Sequence, residues 1–252
     1  MDVILNIQKS FMNIFKKYGN NKLSSSLIYS YSLLDSSDIK LLLIPFLVKF
    51  PNSNSGINKK FNNMISLSIC FSILSINILY DLPHMLNNSH RNKKLSLDNM
   101  FGETITQLAS FCLFIESSNV ILNSDLDNRI KNFIICSIRK KTINSDYLIN
   151  NLVFLDKSKS SKKKCLKMDY QEKIKQIICN NIISVMIFLK QKYNNKNIYD
   201  FVDLIINQFI FTKNNNINNN LNYKKNKKHM TQLIDENNNL NFMFDILELF
   251  KL

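Results

Sequence analysis

Glycine and proline are scarce in this chain, with three residues of each among 252. A β-sandwich or barrel needs a turn every few residues, and a doubly wound α/β fold needs glycine-rich loops after its strands. Six such residues cannot supply either pattern. Hydrophobic residues make up 45% of the chain, enough to bury a sizeable core at this length. We therefore predict an all-α fold.

The chain is strongly basic, with 33 Lys and Arg against 19 Asp and Glu and a formal net charge of +14. Such a charge favours nucleic acids or anionic membranes as partners. However, lysine, asparagine and isoleucine are all abundant here, and AT-rich codons encode them, so codon bias alone can explain the basic charge. The lysine runs at 162–164 and 224–228 lack interleaved aromatic residues and any known nucleic-acid module. We expect no nucleic-acid partner.

Apolar residues recur at helical spacing in several blocks separated by polar segments. A loop is predicted at 51–58, where Pro, Asn, Ser and Gly cluster. The longest apolar block is interrupted by serines and is short for a bilayer span, so we predict a buried core helix and no transmembrane segment. The predicted helices and apolar blocks are 2–18, 24–34, 40–49, 62–79, 101–122, 127–138 and 147–155.

The chain changes character after residue 155. A basic, serine-rich linker at 156–167 precedes helical patterns at 169–193 and 197–211. The asparagine- and lysine-rich stretch at 214–228 is of low complexity. We predict one helical domain over residues 1–212 and a low-complexity tail over 213–252 that ends in a short helix.

The segment from Leu79 to Glu103 carries the most information. It reads LYDLPHMLNNSHRNKKLSLDNMFGE and lies between two apolar blocks. It resembles the trans-polyprenyl diphosphate synthases, which include the farnesyl and geranylgeranyl diphosphate synthases and carry the form H-D-D-L-P-x-M-D-x-D-x-x-R-R-G-x-x-(S/T)-x-H-x-x-F-G-E. The segment aligns to this pattern without a gap, and the matching residues are Asp81, Leu82, Pro83, Met85, Arg91, Ser96, Phe101, Gly102 and Glu103.

The resemblance implies an antiparallel bundle of helices around a deep cavity. It also implies prenyl transfer, in which an allylic diphosphate loses diphosphate and is joined to isopentenyl diphosphate. Aspartates of two motifs would hold Mg²⁺, which neutralises the leaving group. Family members are usually dimers, so we expect association with a second copy or with an active synthase.

Several positions of the first aspartate-rich motif depart from the family. Tyr80 and Leu86 stand where the family has aspartates, and only Asp81 remains as a candidate metal ligand. Arg91 remains as a candidate diphosphate-binding residue, whereas Asn92 replaces the second arginine. No residue is assigned a catalytic role, and Mg²⁺ is implied by the family although the surviving residues match it poorly.

Other parts of the family pattern are also reduced. Upstream, Pro45 and Leu47 match the G-G-K-R-x-R-P-x-L segment, but its basic positions are apolar here. Asp98 replaces a histidine that would favour diphosphate. A second aspartate-rich motif is not found, and the region between 116 and 169 is short. We therefore predict an isoprenoid-synthase-like antiparallel bundle that is shortened in the middle.

Three functions fit these residues. The chain is a polyprenyl synthase-like protein of isoprenoid biosynthesis with impaired catalysis, a non-catalytic partner subunit of an active synthase, or a decaying copy with the fold only. An active enzyme needs a further acid near Asp81, and a partner subunit needs an exposed apolar helix face. A decaying copy would have its cavity filled by side chains such as Leu41, Leu42 and Leu86.

The five cysteines are odd in number and far apart in the sequence, with no C-x-x-C motif. We therefore predict neither a zinc site nor a disulfide framework. No secretory signal pattern is evident. These features favour a reducing compartment. We expect the cytoplasm, with an organelle matrix as the alternative.

Overall fold

The protein is described here by a computed structural model. It describes residues 2–16, 18–35, 38–39, 42, 55–129, 131–132, 134–136, 170 and 174, with the side chains of 2–3 and 55–59 excepted. The predicted linker, the later helices, the boundary at 212 and the tail lie outside the described residues. So does most of the predicted short middle, and these predictions stay open.

Helices dominate the described residues, which confirms the all-α prediction. The elements are α1 (Asp2–Lys16), α2 (Lys22–Tyr31), α3 (Ser55–Asp81), β1 (His90–Arg91), β2 (Lys94–Leu95), α4 (Leu97–Phe101) and α5 (Glu103–Leu122). The loop predicted at 51–58 is wrong from Ser55 onward, because α3 begins there. Ser55 and Gly56 occupy the first turn, where backbone N–H groups have no intrahelical partner and small polar residues are tolerated.

A single glycine separates the short helix α4 from α5, and its backbone conformation requires that residue type. Gly102 ends α4 and begins α5 with φ +86° and ψ 158°. This region is open almost only to glycine. Its N–H donates to the Asp98 carbonyl at 2.9 Å, and its carbonyl accepts from the Thr106 N–H at 3.1 Å. The glycine of the Phe-Gly-Glu motif therefore sets the angle between α4 and α5.

An aromatic cluster joins α1, α2 and α3. Phe11, Phe15 and Phe71 are fully buried, with ring centroids 4.8–5.5 Å apart. Tyr31 of α2 packs on Phe11 at 5.0 Å. Edge and tilted contacts at these distances are favourable beyond the area they bury. The amphipathic pattern of α1 is thus explained by one apolar face turned to this cluster.

Helices α3 and α5 pack closely along a seam of serines. Ser68 donates to the Ser117 carbonyl at 2.8 Å. Ser75 and Ser110 each donate to the other's carbonyl at 3.0 Å. Because residue numbers rise on one helix as they fall on the other, the two helices run antiparallel. Small side chains let the backbones approach, and each buried hydroxyl finds a carbonyl partner.

Two helices, Lys60–Asp81 within α3 and Glu103–Leu122, are long and apolar enough to cross a membrane by length and composition. The most apolar window of the first is 83% buried, as a core helix would be. The corresponding window of α5 is only 39% buried. One or two such helices are weak evidence for a span, and the absence of a transmembrane segment stays a prediction.

Helix α5 has apolar residues on two opposite faces. Its buried face includes Ala109, Leu113 and Ile121. Its exposed face, which we call the α5 stripe, consists of residues one or two turns apart with between 45% and 60% of their surface open: Leu108, Phe111, Ile115 and Leu122. A helix that is apolar on both sides commonly has a further partner on the open one.

Candidate functional site

The site predicted from sequence lies at the carboxyl end of α3. Asp81 is the last residue of this helix, and the chain turns back immediately after it. The Leu86 N–H donates to the Tyr80 carbonyl at 3.0 Å, and the Asn88 N–H donates to the Asp81 carbonyl at 3.1 Å. Asn87 takes φ 54°, a left-handed conformation that asparagine tolerates. The turn thus closes over the last carbonyls of α3.

Arg91 is delivered to this helix end by a β-hairpin that the sequence did not predict. His90 pairs with Leu95 and Arg91 with Lys94, in antiparallel register. The two turn residues, Asn92 and Lys93, both have positive φ (48° and 62°), as a type I′ hairpin turn requires. The usual Asn-Gly signal is absent, since a lysine occupies the second turn position.

Two contacts hold the hairpin against α2 and the residues that follow it. The Asn92 side-chain amide donates to the Leu34 carbonyl at 2.8 Å. The Tyr29 hydroxyl donates to the Leu95 carbonyl at 2.9 Å. Asn92 stands where the polyprenyl synthase pattern has its second arginine, and here its side chain anchors the hairpin. The contacts do not involve the Arg91 side chain.

The two candidate site residues bind one another. Arg91 Nε donates to Asp81 Oδ2 at 2.6 Å, and Arg91 Nη2 donates to Asp81 Oδ1 at 2.9 Å. The Asn88 amide also donates to Asp81 Oδ1 at 2.9 Å. The side chains of Asp81 and Arg91 are 1% and 14% exposed. A bidentate pair of this kind is among the stronger hydrogen-bonded contacts in proteins.

Further polar groups extend this pair into a buried network. Arg91 Nη2 reaches the Asn77 carbonyl at 3.5 Å. The Tyr170 hydroxyl donates to Asn77 Oδ1 at 2.6 Å. The Asn77 amide donates to Asp38 Oδ2 at 3.4 Å. One buried asparagine therefore connects two acids, one arginine and one tyrosine that are widely separated in sequence.

The electrostatics of the network keep the arginine charged. Burial lowers the pKa of Arg91, but Tyr170, Asp81 and Asp38 together raise it above its ordinary value. Burial raises the pKa of Tyr170 to about 12, with Arg91 acting in the opposite direction. Arg91 Cζ lies 5.9 Å from the centre of the Tyr170 ring. The hydroxyl thus stays protonated and serves as a donor.

Apolar and aromatic side chains fill the space around this network. Tyr80 is fully buried, and Leu86 is 9% exposed. Leu42 is also fully buried, but its carbonyl accepts from the Ser66 hydroxyl, 15 residues before Asp81 on α3. The Tyr80 and Tyr170 rings lie 5.3 Å apart. Tyr80 and Leu86 occupy the positions that hold aspartates in the polyprenyl synthase pattern, so these positions carry no carboxylate into the site. Leu41 lies outside the described residues.

The residues present do not fit a Mg²⁺ ion. Mg²⁺ needs an octahedral set of oxygens and is usually held by one or two carboxylates together with substrate phosphates. Both carboxylate oxygens of Asp81 accept hydrogen bonds from Arg91. Within the described part of the chain, no group of three His, Cys, Asp or Glu side chains is placed to hold a metal. The arrangement can neutralise Asp81 without a metal.

The rest of the matching segment has structural contacts. Glu103 Oε1 lies 3.0 Å from His84 Nδ1 and accepts from the Gln107 amide at 3.3 Å, both on the surface. Asp98 replaces the family histidine, and its buried Oδ1 has no hydrogen-bond partner among the described residues. None of these groups contacts Asp81 or Arg91 in the hydrogen bonds described.

Sequence reasoning missed Asp38, Asn77 and Tyr170. The spacing of Asp35 and Asp38 is a usable signal, because each accepts from the other's backbone N–H, at 2.8 and 3.1 Å. Such reciprocal bonding resembles the capping box at a helix start. Nothing in the sequence marks Tyr170, which reaches the site from 89 residues beyond Asp81.

A separate open groove lies between α1, α3 and α5. It has a volume of about 450 Å³ and is lined by Ile14, Tyr18, Leu67, Glu116, Val120 and Asn123. The Tyr18 hydroxyl donates to Glu116 at 2.6 Å, which raises the pKa of Tyr18 to about 12. Leu67 is 14 residues from Asp81 on α3, or roughly 21 Å along the axis. The groove is therefore distinct from the network around Asp81.

The fold matches solved structures of isoprenoid synthases. An isoprenoid synthase family member from Thermotoga neapolitana superposes with a TM-score of 0.67 at 14% identity, over 98% of this chain and 97% of its own. A geranyltranstransferase from Thermotoga maritima gives 0.66 at 14% identity, over 97% and 95%. A geranyltransferase from Helicobacter pylori gives 0.63 at 17% identity, over 99% and 97%.

No family model and no curated protein matches the sequence. At these identities the structural matches show the fold alone. This chain has the all-α isoprenoid synthase fold.

Proposed function

We propose that this chain, which has the isoprenoid synthase fold, is a polyprenyl diphosphate synthase-like protein of isoprenoid biosynthesis that does not carry out ordinary prenyl transfer. The observation that carries the proposal is the buried pair of Asp81 and Arg91. The one acid left in the first motif and the arginine left beside it are each bound by the other. Neither is open to a metal or a diphosphate.

The chemistry explains why this matters. An allylic diphosphate leaves as a polyanion, and its departure needs metal ions that several carboxylates share. Tyr80 and Leu86 supply no charge, and Asp81 is already neutralised. Removing one well-placed electrostatic group commonly costs about two to three orders of magnitude in rate. Several such groups are replaced here, so elongation should fall to the background rate.

The test is a prenyl-transfer assay on the purified chain. It uses labelled isopentenyl diphosphate, allylic diphosphates of several lengths and Mg²⁺, with Asp81→Ala beside the wild type and a complete synthase as the positive control. We expect product from the control only. Product from the wild type would refute the proposal. If circular dichroism shows that Asp81→Ala is still folded, loss of the product in this variant would make Asp81 a working ligand.

A second candidate function is supported by the α5 stripe. A non-catalytic subunit that acts on an active synthase needs an exposed apolar surface, whereas a decaying copy needs none. The stripe offers four large side chains on one face of a 20-residue helix. This helix carries no lysine or arginine, so charge repulsion opposes association only weakly. We propose a prenyl synthase subunit as its occupant.

Mixing experiments distinguish these functions. A complete synthase is assayed with and without the chain, and the complex is measured by light scattering. The double variant Phe111→Glu/Ile115→Glu should abolish association, whereas Gln8→Glu, an exposed polar site on α1, should not. If adding the chain leaves the rate, the product length and the molar mass of the synthase unchanged, the decaying copy is favoured. Binding to lipid vesicles through the stripe would instead refute a protein partner.

The proposed location follows from the chemistry. A reducing compartment, the cytoplasm or an organelle matrix, suits unpaired cysteines, and Cys70 is fully buried with no disulfide partner within the described residues. Burial raises the pKa of its thiol, which keeps it protonated and unreactive.

A further inference from the structure

The carboxyl end of α3 gathers oxygen atoms around one cation. The Asp81 carboxylate and the Asn77 carbonyl both accept from the Arg91 guanidinium. Asp38 accepts from the Asn77 amide, and its charge helps to raise the pKa of Arg91. Acceptors of this type, carboxylate and carbonyl oxygens, are the usual surroundings of a bound hard cation. Here the cation is a side chain of the protein itself.

The shape of the site suits a planar cation and not a metal ion. Nε and Nη2 of Arg91 donate to the two oxygens of Asp81 at 2.6 and 2.9 Å, which is the usual bidentate geometry of a guanidinium and a carboxylate. The Tyr170 ring lies 5.9 Å from Cζ, within range of a cation–π contact. The carboxylate of Asp81 and the ring of Tyr170 therefore both contact the planar guanidinium group of Arg91.

The guanidinium is carried by a hairpin that other contacts hold. Asn92 and Tyr29 fix the hairpin to the end of α2 without help from the Arg91 side chain. Truncating Arg91 should then leave its acceptors in place around a vacant space. A small cation of the same shape could enter that space.

We propose that Arg91 is a built-in cation that occupies the cation site at the end of α3, and that the site recognises a guanidinium group in place of a divalent metal. The proposal deepens the proposed function, since it gives the reason why Asp81 takes no metal. It is tested by binding and stability, which do not depend on any catalytic activity.

The experiment is chemical rescue of Arg91→Ala by guanidinium ion. Thermal unfolding is followed by circular dichroism in millimolar guanidinium chloride, with sodium chloride at equal ionic strength as the reference. We expect guanidinium to raise the Tm of Arg91→Ala by about 2–4 °C and to leave the wild type unchanged. Arg129→Ala, at an exposed arginine, is the matched control and should show no rise.

One further variant and one further readout extend the test. The double variant Asp81→Ala/Arg91→Ala should show no rescue, because the acceptor of the fork is gone. If Arg91→Ala is unfolded, the helical signal it regains in guanidinium is the readout. If guanidinium changes neither the Tm of a folded Arg91→Ala nor the helical signal of an unfolded one, the proposal is overturned.

The metal arm is measured separately by Mn²⁺ binding with electron paramagnetic resonance. We expect the wild type to bind no Mn²⁺ through Asp81. Mn²⁺ bound by the wild type and lost in Asp81→Asn would overturn the built-in cation, whatever the outcome of the prenyl-transfer assay. A wild type that transfers prenyl groups without Asp81-dependent Mn²⁺ binding would overturn the proposed function alone.

Discussion

Breaking the Asp81–Arg91 pair from one side should be strongly destabilising. The Arg91 side chain is only 14% exposed, so Asp81→Ala leaves a buried guanidinium without its carboxylate. Two unit charges at about 4 Å attract by about 4 kcal/mol at the effective dielectric typical of proteins. Removing one partner of a buried pair commonly costs about 3–5 kcal/mol, because the remaining charge is left uncompensated. We expect a loss in this range for Asp81→Ala.

A double-mutant cycle isolates the interaction. Urea unfolding of the wild type, Asp81→Ala, Arg91→Ala and the double variant is followed by far-ultraviolet circular dichroism. The double variant should lose less stability than the sum of the two single variants, by about 1–3 kcal/mol. The matched control is Lys60 with Asp125, an ion pair whose side chains are 76% and 84% exposed. Its coupling should be too small to measure, since solvent screens it.

If the coupling between Asp81 and Arg91 is no larger than that of Lys60 and Asp125, the buried pair contributes nothing beyond a surface contact. The account of the site as a closed, internally neutralised end of α3 would then be wrong. A cost for Asp81→Ala below about 1 kcal/mol would lead to the same conclusion.

Three further predictions concern the core and the backbone. Burial raises the pKa of Tyr31 to about 12, so the stability that its protonated hydroxyl contributes is present below the unfolded pKa of about 10 and is lost as the pH rises towards 12. The urea midpoint of Tyr31→Phe should therefore fall less between about pH 8 and pH 11 than that of the wild type, and an equal fall in the two proteins would contradict this. Ser110→Leu should cost about 1–3 kcal/mol in urea unfolding, because Ser110 Oγ lies 3.2 Å from Ser75 Oγ and leaves no room; Ser10→Leu at an exposed site is the control, and equal stability of the two variants would count against the close seam. Gly102→Ala should cost about 1–3 kcal/mol through backbone strain alone, since nothing lies within 4 Å of an added Cβ, and a Tm equal to that of the wild type would exclude the strain.

The helical class could be predicted because it depends on local properties. Scarce glycine and proline exclude folds rich in turns. Apolar spacing of 3.6 residues identifies both ends of α1 and α5, and the carboxyl end of α3, to within about two residues. The start of α3 was missed by several residues, because Ser55 and Gly56 resemble a loop by composition and are tolerated in a first turn.

The hairpin illustrates what local patterns did not reveal. Arg91 faces the core because Asn92 and Lys93 adopt positive φ. The cost of that backbone conformation is offset by the pairing with β2 and by the hydrogen bond to Leu34. A lysine at this turn position gives no sequence signal for it. The serine seam is similar, since a row of serines in an apolar block shows an interruption but not the helix that pairs with it.

The sequence by itself determined the fold, through composition, helical periodicity and the segment from Leu79 to Glu103. It also determined which motif positions lack carboxylates, since that depends on residue identity. Only the tertiary structure decided what the surviving acid and arginine do. Asp81 and Arg91 are ten residues apart, and Tyr170 lies 89 residues beyond Asp81. Their meeting depends on a hairpin register and a helix packing that arise from contacts distant in sequence, and these contacts make the two residues partners of each other.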